Sequence, residues 1–485
     1  MFSVLLASTA LASSPMCEEV FDEIESTIQS HYVAIALYRT NAPAIADAAA
    51  ERHAAYRSQA SLIDPDDMVG CTRVLQAYVN AYEDPHLFLN AMPSFSDAEA
   101  ARSRANAPRL PISADRLRLQ AVSATGRGPL VGVWAAEDFE VAIIPEGDGG
   151  FVAVVVATES EHWSVGDVAA YFDRHGQEWE AIQFRAEDRA PIRTIAHIVN
   201  DMILSMPPTD WGRIAPEPSE LIGAWSPDNP RAPRFEMISD AVAWLAVPSL
   251  SPNHIGESLQ AIIDERRDDI LGVELLVLDL RGNHGGSASA LAPLDPLILT
   301  REDSEEYQAD AHSPVLLSSP ATIGYYQRIV DRMPEGIERT VFADLLRRLQ
   351  ENPGSLVPML TQAEHIALYN DPRVPADLFE QPEHVAILVD ENVVSAGEAV
   401  LLRSRQSRRV TSFGANTGGS IDYQQVLMVT VGEGPLQFAL GYPLMADSPL
   451  LPVGGFNQAG VPVDIPLAGD QASWPQQILS HYGLH

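Results

Sequence analysis

The chain has 485 residues, 46% of them hydrophobic and 20% charged, a composition ordinary for a soluble globular protein of two to four domains. Its formal net charge of -35 argues against a nucleic-acid backbone or an anionic membrane as partner. All 31 basic residues are arginine, so mechanisms that need a lysine base, a Schiff base or a Walker lysine are excluded.

The N-terminus, "MFSVLLASTALASSPMC", has an apolar stretch followed by Ala10-Leu11-Ala12, a small-x-small cleavage pattern. Residues 1–12 are expected to be a signal peptide, which would place the protein in the periplasm or outside the cell. Two cysteines, Cys17 and Cys71, in an exported chain are expected to form one bridge. No apolar run reaches the roughly 18 residues of a membrane span.

Residues 13–110 form an N-terminal helical region. Within 17–92, "EEVFDEIESTIQSHYVAIAL" and "DDMVGCTRVLQAYVNAY" repeat apolar residues at helical intervals, with Asp64 or Asp66 as cap of the second helix. From 115 to 215 the period changes to that of strands, broken by a hairpin signal at Gly147–Gly150. This predicts a small β-rich module, a partly closed barrel, with Trp134, Trp163 and Trp179 in its core. The region 230–470 alternates strands and helices: "AVAWLAVPSL", the helix "IGESLQAIIDERRDDI", the fully apolar strand "VELLVLDLRG", then "HVAILVD", a helix from Ser395, and "RVTSFG". A helix-rich insertion is expected over about 303–380.

Two stretches carry chemistry. In "LLVLDLRGNHGGSAS" (275–289) a buried strand ends at Asp279 and turns through Gly282, Gly285 and Gly286. Glycines let main-chain N–H groups face a cleft with no Cβ in the way, so the turn can donate to a developing oxyanion. Asp279 and Arg281 are placed to brace it from behind. In "HVAILVDENVVSAGEAVLL" (384–402) Ser395 stands between a strand and a helix, where helix N–H groups lack partners. A serine there serves as an N-cap or as a nucleophile. Ala396 and Gly397 leave room for a substrate, and the N–H of Ala396 is a second candidate oxyanion donor. Glu398 fits a capping box with Ser395 or a brace for the loop.

"LDLRGNHGG", then "ILVDENVVSAGEAV", "FGANTGGSIDYQQ" and "GVPVDIPL", resembles the tail-specific (C-terminal processing) and tricorn-core serine peptidases over about 240–467. The resemblance implies an α/β, crotonase-like (ClpP/crotonase) ββα spiral. It makes Ser395 the nucleophile, with the N–H groups of Ala396 and of Gly285 or Gly286 as oxyanion hole. The substrate would be a peptide or unfolded protein, with no cofactor and no metal. The tail-specific branch carries a lysine 25 positions after the serine; here that position is Ser420, although Gln424 still matches. The other branch uses histidine, and "YEDPHLFL" resembles its carrier segment, which makes His86 the leading base. An imidazole, with an ordinary pKa of about 6.5, can take the serine proton and return it to a leaving amine. His284, inside the glycine turn, is the rival. For the third group the tricorn branch has a glutamate at about the place where Asn457 stands here, whose amide oxygen could still orient an imidazole; Asp84 and Glu398 are alternatives. Two other functions fit the same fold, an inactive carrier of apolar ligands and an enzyme acting on thioesters.

Overall fold

The computed structural model describes residues 16–484 apart from 65–67, 137, 148, 176–177, 200–201, 207–208, 217–230, 252–254, 300–313, 361–377 and 406. The expected signal peptide and Asp66 lie outside the described residues. The chain is mixed α/β.

A six-stranded sheet holds the region that carries Ser395. Its order is β10 (Arg234–Ser239), β11 (Val242–Ala246), β12 (Leu275–Asp279), β15 (His384–Val389), β16 (Val410–Gly414) and β19 (Ile465–Pro466). All neighbours are parallel except β10 with β11. Alternate residues of the central strands enter two separate cores. Leu245, Leu276, Leu278, Ile387 and Val389 lie on one face, while Trp244, Val277, Ala386 and Leu388 lie on the other. Both faces are covered, which is why β12 and β15 read as continuous apolar runs instead of alternating ones.

Residues 132–215 form a closed barrel rather than a partly closed one. Strands β2 (Gly132–Ala135), β3 (Phe139–Glu146), β4 (Gly150–Thr158), β5 (Val168–His175), β6 (Glu178–Phe184), β7 (Pro191–Val199), β8 (Ile203–Met206) and β9 (Thr209–Ala215) pair in succession. The pairing of β9 with β2 removes both open edges. Trp134 and Trp163 are buried in its core, and Trp179 packs partly buried against it.

The N-terminal helices are not an independent layer. Helices α1 (Cys17–His31), α2 (Val33–Asn41), α3 (Pro43–Ala60) and α4 (Met68–Asn80) share one apolar core with a second, five-stranded sheet. That sheet comprises β1 (Phe88–Ala91), β13 (Val315–Leu317), β14 (Leu356–Pro358), β17 (Tyr423–Val431) and β18 (Phe438–Ala446). Two expectations change here. Phe88–Ala91 is a strand, not the end of the helical region, because it finds an antiparallel partner in β18. The described part of the expected insertion holds helices Pro320–Arg332 and Ile337–Glu351, but it also supplies β13 and β14 to this sheet. Cys17 and Cys71 are bridged, which ties α1 to α4.

Candidate active site

Strands β12 and β15 are adjacent and parallel, with Asp279 opposite Leu388, so the chain leaves both at the same sheet edge. Crevices outside the carboxyl ends of parallel strands are where such sheets place their sites. The two exits are laced together: the N–H of Gly282 donates to Asp390 Oδ1 at 3.0 Å and the N–H of Val394 to the carbonyl of Asn283 at 3.0 Å. Asn283, fully buried, also donates from Nδ2 to the Val247 carbonyl at 2.7 Å. Behind the turn, Arg281 donates to both carboxylate oxygens of Asp279, at 2.9 and 2.6 Å.

Ser395 sits at the N-cap of the helix Ala396–Ser404 with φ 56° and ψ −123°, in a capping box with Glu398. A non-glycine residue there carries about 1–3 kcal/mol of strain, held by its surroundings. The holder is Glu398, wholly buried. It accepts from the N–H groups of Ser395, Gly419 and Ser420 and from the hydroxyls of Thr417 and Ser420, at 2.6–3.2 Å. The Ser420 hydroxyl also accepts from the N–H of Ser395 at 2.9 Å. The residue in the place of the dyad lysine thus fixes the main chain of Ser395.

With its backbone pinned, Ser395 turns its hydroxyl to His86, Oγ to Nε2 at 2.9 Å. His86 Nδ1 lies 2.5 Å from the carbonyl oxygen of Tyr423, at the start of β17. A carbonyl only accepts, so Nδ1 carries the proton and Nε2 presents its lone pair to Ser395. That is the tautomer a general base requires.

Asn457 makes no hydrogen bond to the imidazole. Its Nδ2 donates to Asp84 Oδ1 at 3.3 Å, and its Oδ1 accepts from the N–H of Asp422 at 3.2 Å. The expected orienting role of Asn457 is therefore corrected: the group on Nδ1 is a main-chain carbonyl. Asp84 acts one step back, accepting from the N–H of His86 at 3.0 Å and from the Tyr32 hydroxyl at 2.6 Å. Burial raises the Asp84 carboxyl above the usual range, opposed by Tyr32, His86 and Asn457. Glu398 is likewise no partner of the histidine.

His284 makes no hydrogen bond to Ser395. It faces the barrel, where Arg231, His197 and Asp210 are its charged or titratable neighbours. Burial, then Arg231 and His197, push its pKa down to about 4, against Asp210.

The two glycines have different tasks. The N–H of Gly285 is committed to Asn283 Oδ1 at 2.8 Å, so Gly285 is not a free oxyanion donor. A Cβ on it would stand 2.7 Å from Ser395 Cβ and 2.9 Å from Ala396 N, so glycine is what lets the turns meet. Gly286 is exposed and pairs with Leu250 through its neighbours' groups. Its own N–H, like that of Ala396, has no hydrogen-bond partner among the described residues. Also among the described residues, no cluster of His, Cys, Asp or Glu could hold a metal ion and no helix is long and apolar enough to cross a membrane.

Reading residue types along the chain missed Tyr423, Tyr32 and Arg231. A main-chain carbonyl leaves no mark in sequence, since every residue has one. Asn283 stood in the glycine motif but without an assigned task.

An imidazole of fixed tautomer on a strained serine, above a mixed α/β frame, is the chemistry of serine hydrolases. The class narrows because residues 241–447 match the model for peptidase family S41. That stretch, somewhat under half of the chain, is similar to the family, and the chain is a serine-type peptidase. The matched stretch includes Ser395 and the glycine turn, but neither His86 nor Asn457. None of the curated proteins matches the chain. Among solved structures it is similar to mature CPAF complexed with lactacystin, at 12% identity and TM-score 0.48, over 96% of this chain and 97% of that one. It is similar to the photosystem II D1 C-terminal processing protease at 11% identity and TM-score 0.36, over 95% and 96%. The tricorn protease matches at 11% identity and TM-score 0.36, over 96% of this chain and 36% of that one. With TM-scores below 0.5, none of these likenesses bears on the assignment.

Proposed function

We propose that the chain is an exported endopeptidase of the tail-specific or tricorn-core type that uses histidine, not lysine, as its base. The observation that carries this is the 2.9 Å contact from Ser395 Oγ to Nε2 of an imidazole whose other nitrogen is held by the Tyr423 carbonyl. Ser395 Oγ attacks a peptide carbonyl while His86 Nε2 takes its proton. The tetrahedral oxyanion rests on the N–H groups of Gly286 and Ala396, each donor worth about 3–4 kcal/mol in the transition state. His86 returns the proton to the leaving amine, the C–N bond breaks, and an acyl ester on Ser395 remains. Water, deprotonated by His86, then hydrolyses the ester and restores the serine. The parallel strands and the helix start at Ser395 support a crotonase-like spiral. The Cys17–Cys71 bridge supports an oxidising compartment, periplasmic or extracellular.

A fluorophosphonate probe tests the reading. Labelling at Ser395 is expected, abolished in Ser395→Ala and strongly reduced in His86→Ala. A folded wild-type chain that refuses the probe and cleaves no unfolded protein would instead fit an inactive ligand carrier.

A further inference from the structure

Arg231 joins the barrel to the glycine turn. Arg231 has five N–H donors, and all five are engaged. Nε donates to Asp210 Oδ2 at 2.8 Å, and Nη2 to Asp210 Oδ1 and Ser205 Oγ, each at 3.2 Å. Nη1 donates to the carbonyls of Pro248 at 3.2 Å and Gly282 at 3.0 Å. Ser205 lies on β8 and Asp210 on β9, both in the barrel; Gly282 opens the glycine turn, and Pro248 lies in the segment after β11.

Those last two carbonyls belong to the pieces that aim Gly286. The segment after β11 bonds the turn at both sides of that residue: the N–H of Leu250 donates to Gly285 O and the N–H of Ser287 to Leu250 O. Gripping Pro248 and Gly282 together fixes the spacing between segment and turn. We infer that Arg231 is a positioning residue through which the barrel sets the placement of the Gly286 N–H, so that formation of the oxyanion site depends on the docked barrel. This rests on the peptidase reading above. It assigns the barrel a task in catalysis, besides any in selecting substrate. Lysine cannot stand in, because an ammonium offers three donors from one point where the guanidinium spans two structural units.

The test uses the full-length chain, with an unfolded protein or peptide as substrate and a peptide boronic acid as probe of the tetrahedral state. Arg231→Ala and Arg231→Lys are both expected to lower kcat on the order of a hundredfold, the scale of a displacement of about 1 Å at a reacting group. KM should stay within about threefold and boronate affinity should fall in parallel with kcat. Asp210→Asn should weaken kcat in the wild-type background and cost nothing further beside Arg231→Ala, because the two act through one connection. Folding of each variant is checked by circular dichroism. Near-wild-type kcat in folded Arg231→Ala overturns the inference, as does full rescue by lysine or additive losses in the double variant. Should Arg231→Ala not fold, the kcat of Asp210→Asn and of Arg231→Lys decides. Failure of the wild-type chain to label at Ser395 would instead overturn the peptidase reading.

Discussion

The histidine of this site is steered by a carbonyl oxygen and by the backbone bond that Asp84 makes to its own N–H. The side chains around it therefore matter unequally. His86→Ala removes the proton acceptor and should lower kcat about a thousandfold or more. Asn457→Ala removes the long hydrogen bonds to Asp84 and from the Asp422 N–H, neither of them on the imidazole, so kcat should fall by less than about tenfold. Steady-state kinetics on one substrate compare the two; an Asn457 loss equal to that of His86 would return the asparagine to the reacting group. Ser395 and His86 were reached through the family resemblance of their segments, and the structure brings the two within 2.9 Å. The third group was not reached, since main-chain carbonyls are invisible to any reading of side chains.

At the scale of elements, the site is a property of two turns leaving neighbouring parallel strands. Gly285→Ala puts a Cβ within 2.7 Å of Ser395 Cβ at φ +81°, where an L side chain is already strained. We expect at least a hundredfold loss of kcat in a chain that keeps its far-ultraviolet dichroism, because the turns must part. An alanine variant with full activity would mean that they do not touch during catalysis. The His284 ring belongs to the barrel contact, and its pKa of about 4 lies below the ordinary value of 6.5. A depressed histidine is neutral in the fold and charged when unfolded at intermediate pH. Its contribution is whole above about pH 6.5 and is lost as pH falls toward 4. Between pH 7 and 5 the wild-type chain should lose about 2 kcal/mol more stability than His284→Gln, read from urea midpoints. Equal losses would mean that His284 is solvated.

The whole molecule brings His86 to Ser395 across 309 positions. It does so because α1–α4 share their core with β17 and β18. The Cys17–Cys71 bridge closes 54 residues of that helical layer, worth about 4 kcal/mol in a chain-entropy account. Replacing both cysteines by alanine should lower Tm by several degrees, and calorimetry of folded protein with and without reductant checks the same quantity. An unchanged Tm would separate the bridge from the stability of this layer.

Local order along the chain was enough to predict the strands β11, β12, β15 and β16, the glycine turn and the serine at a helix start. Each depends on apolar runs and turn residues that act over a few positions. The fusion of the N-terminal helices with the second sheet, the commitment of the Gly285 N–H, the turning of His284 toward the barrel and the choice of Tyr423 as partner of His86 were decided by tertiary structure alone. Those outcomes are set by which backbone groups are left without partners once distant segments pack, and packing between segments hundreds of residues apart leaves no periodic trace in either one.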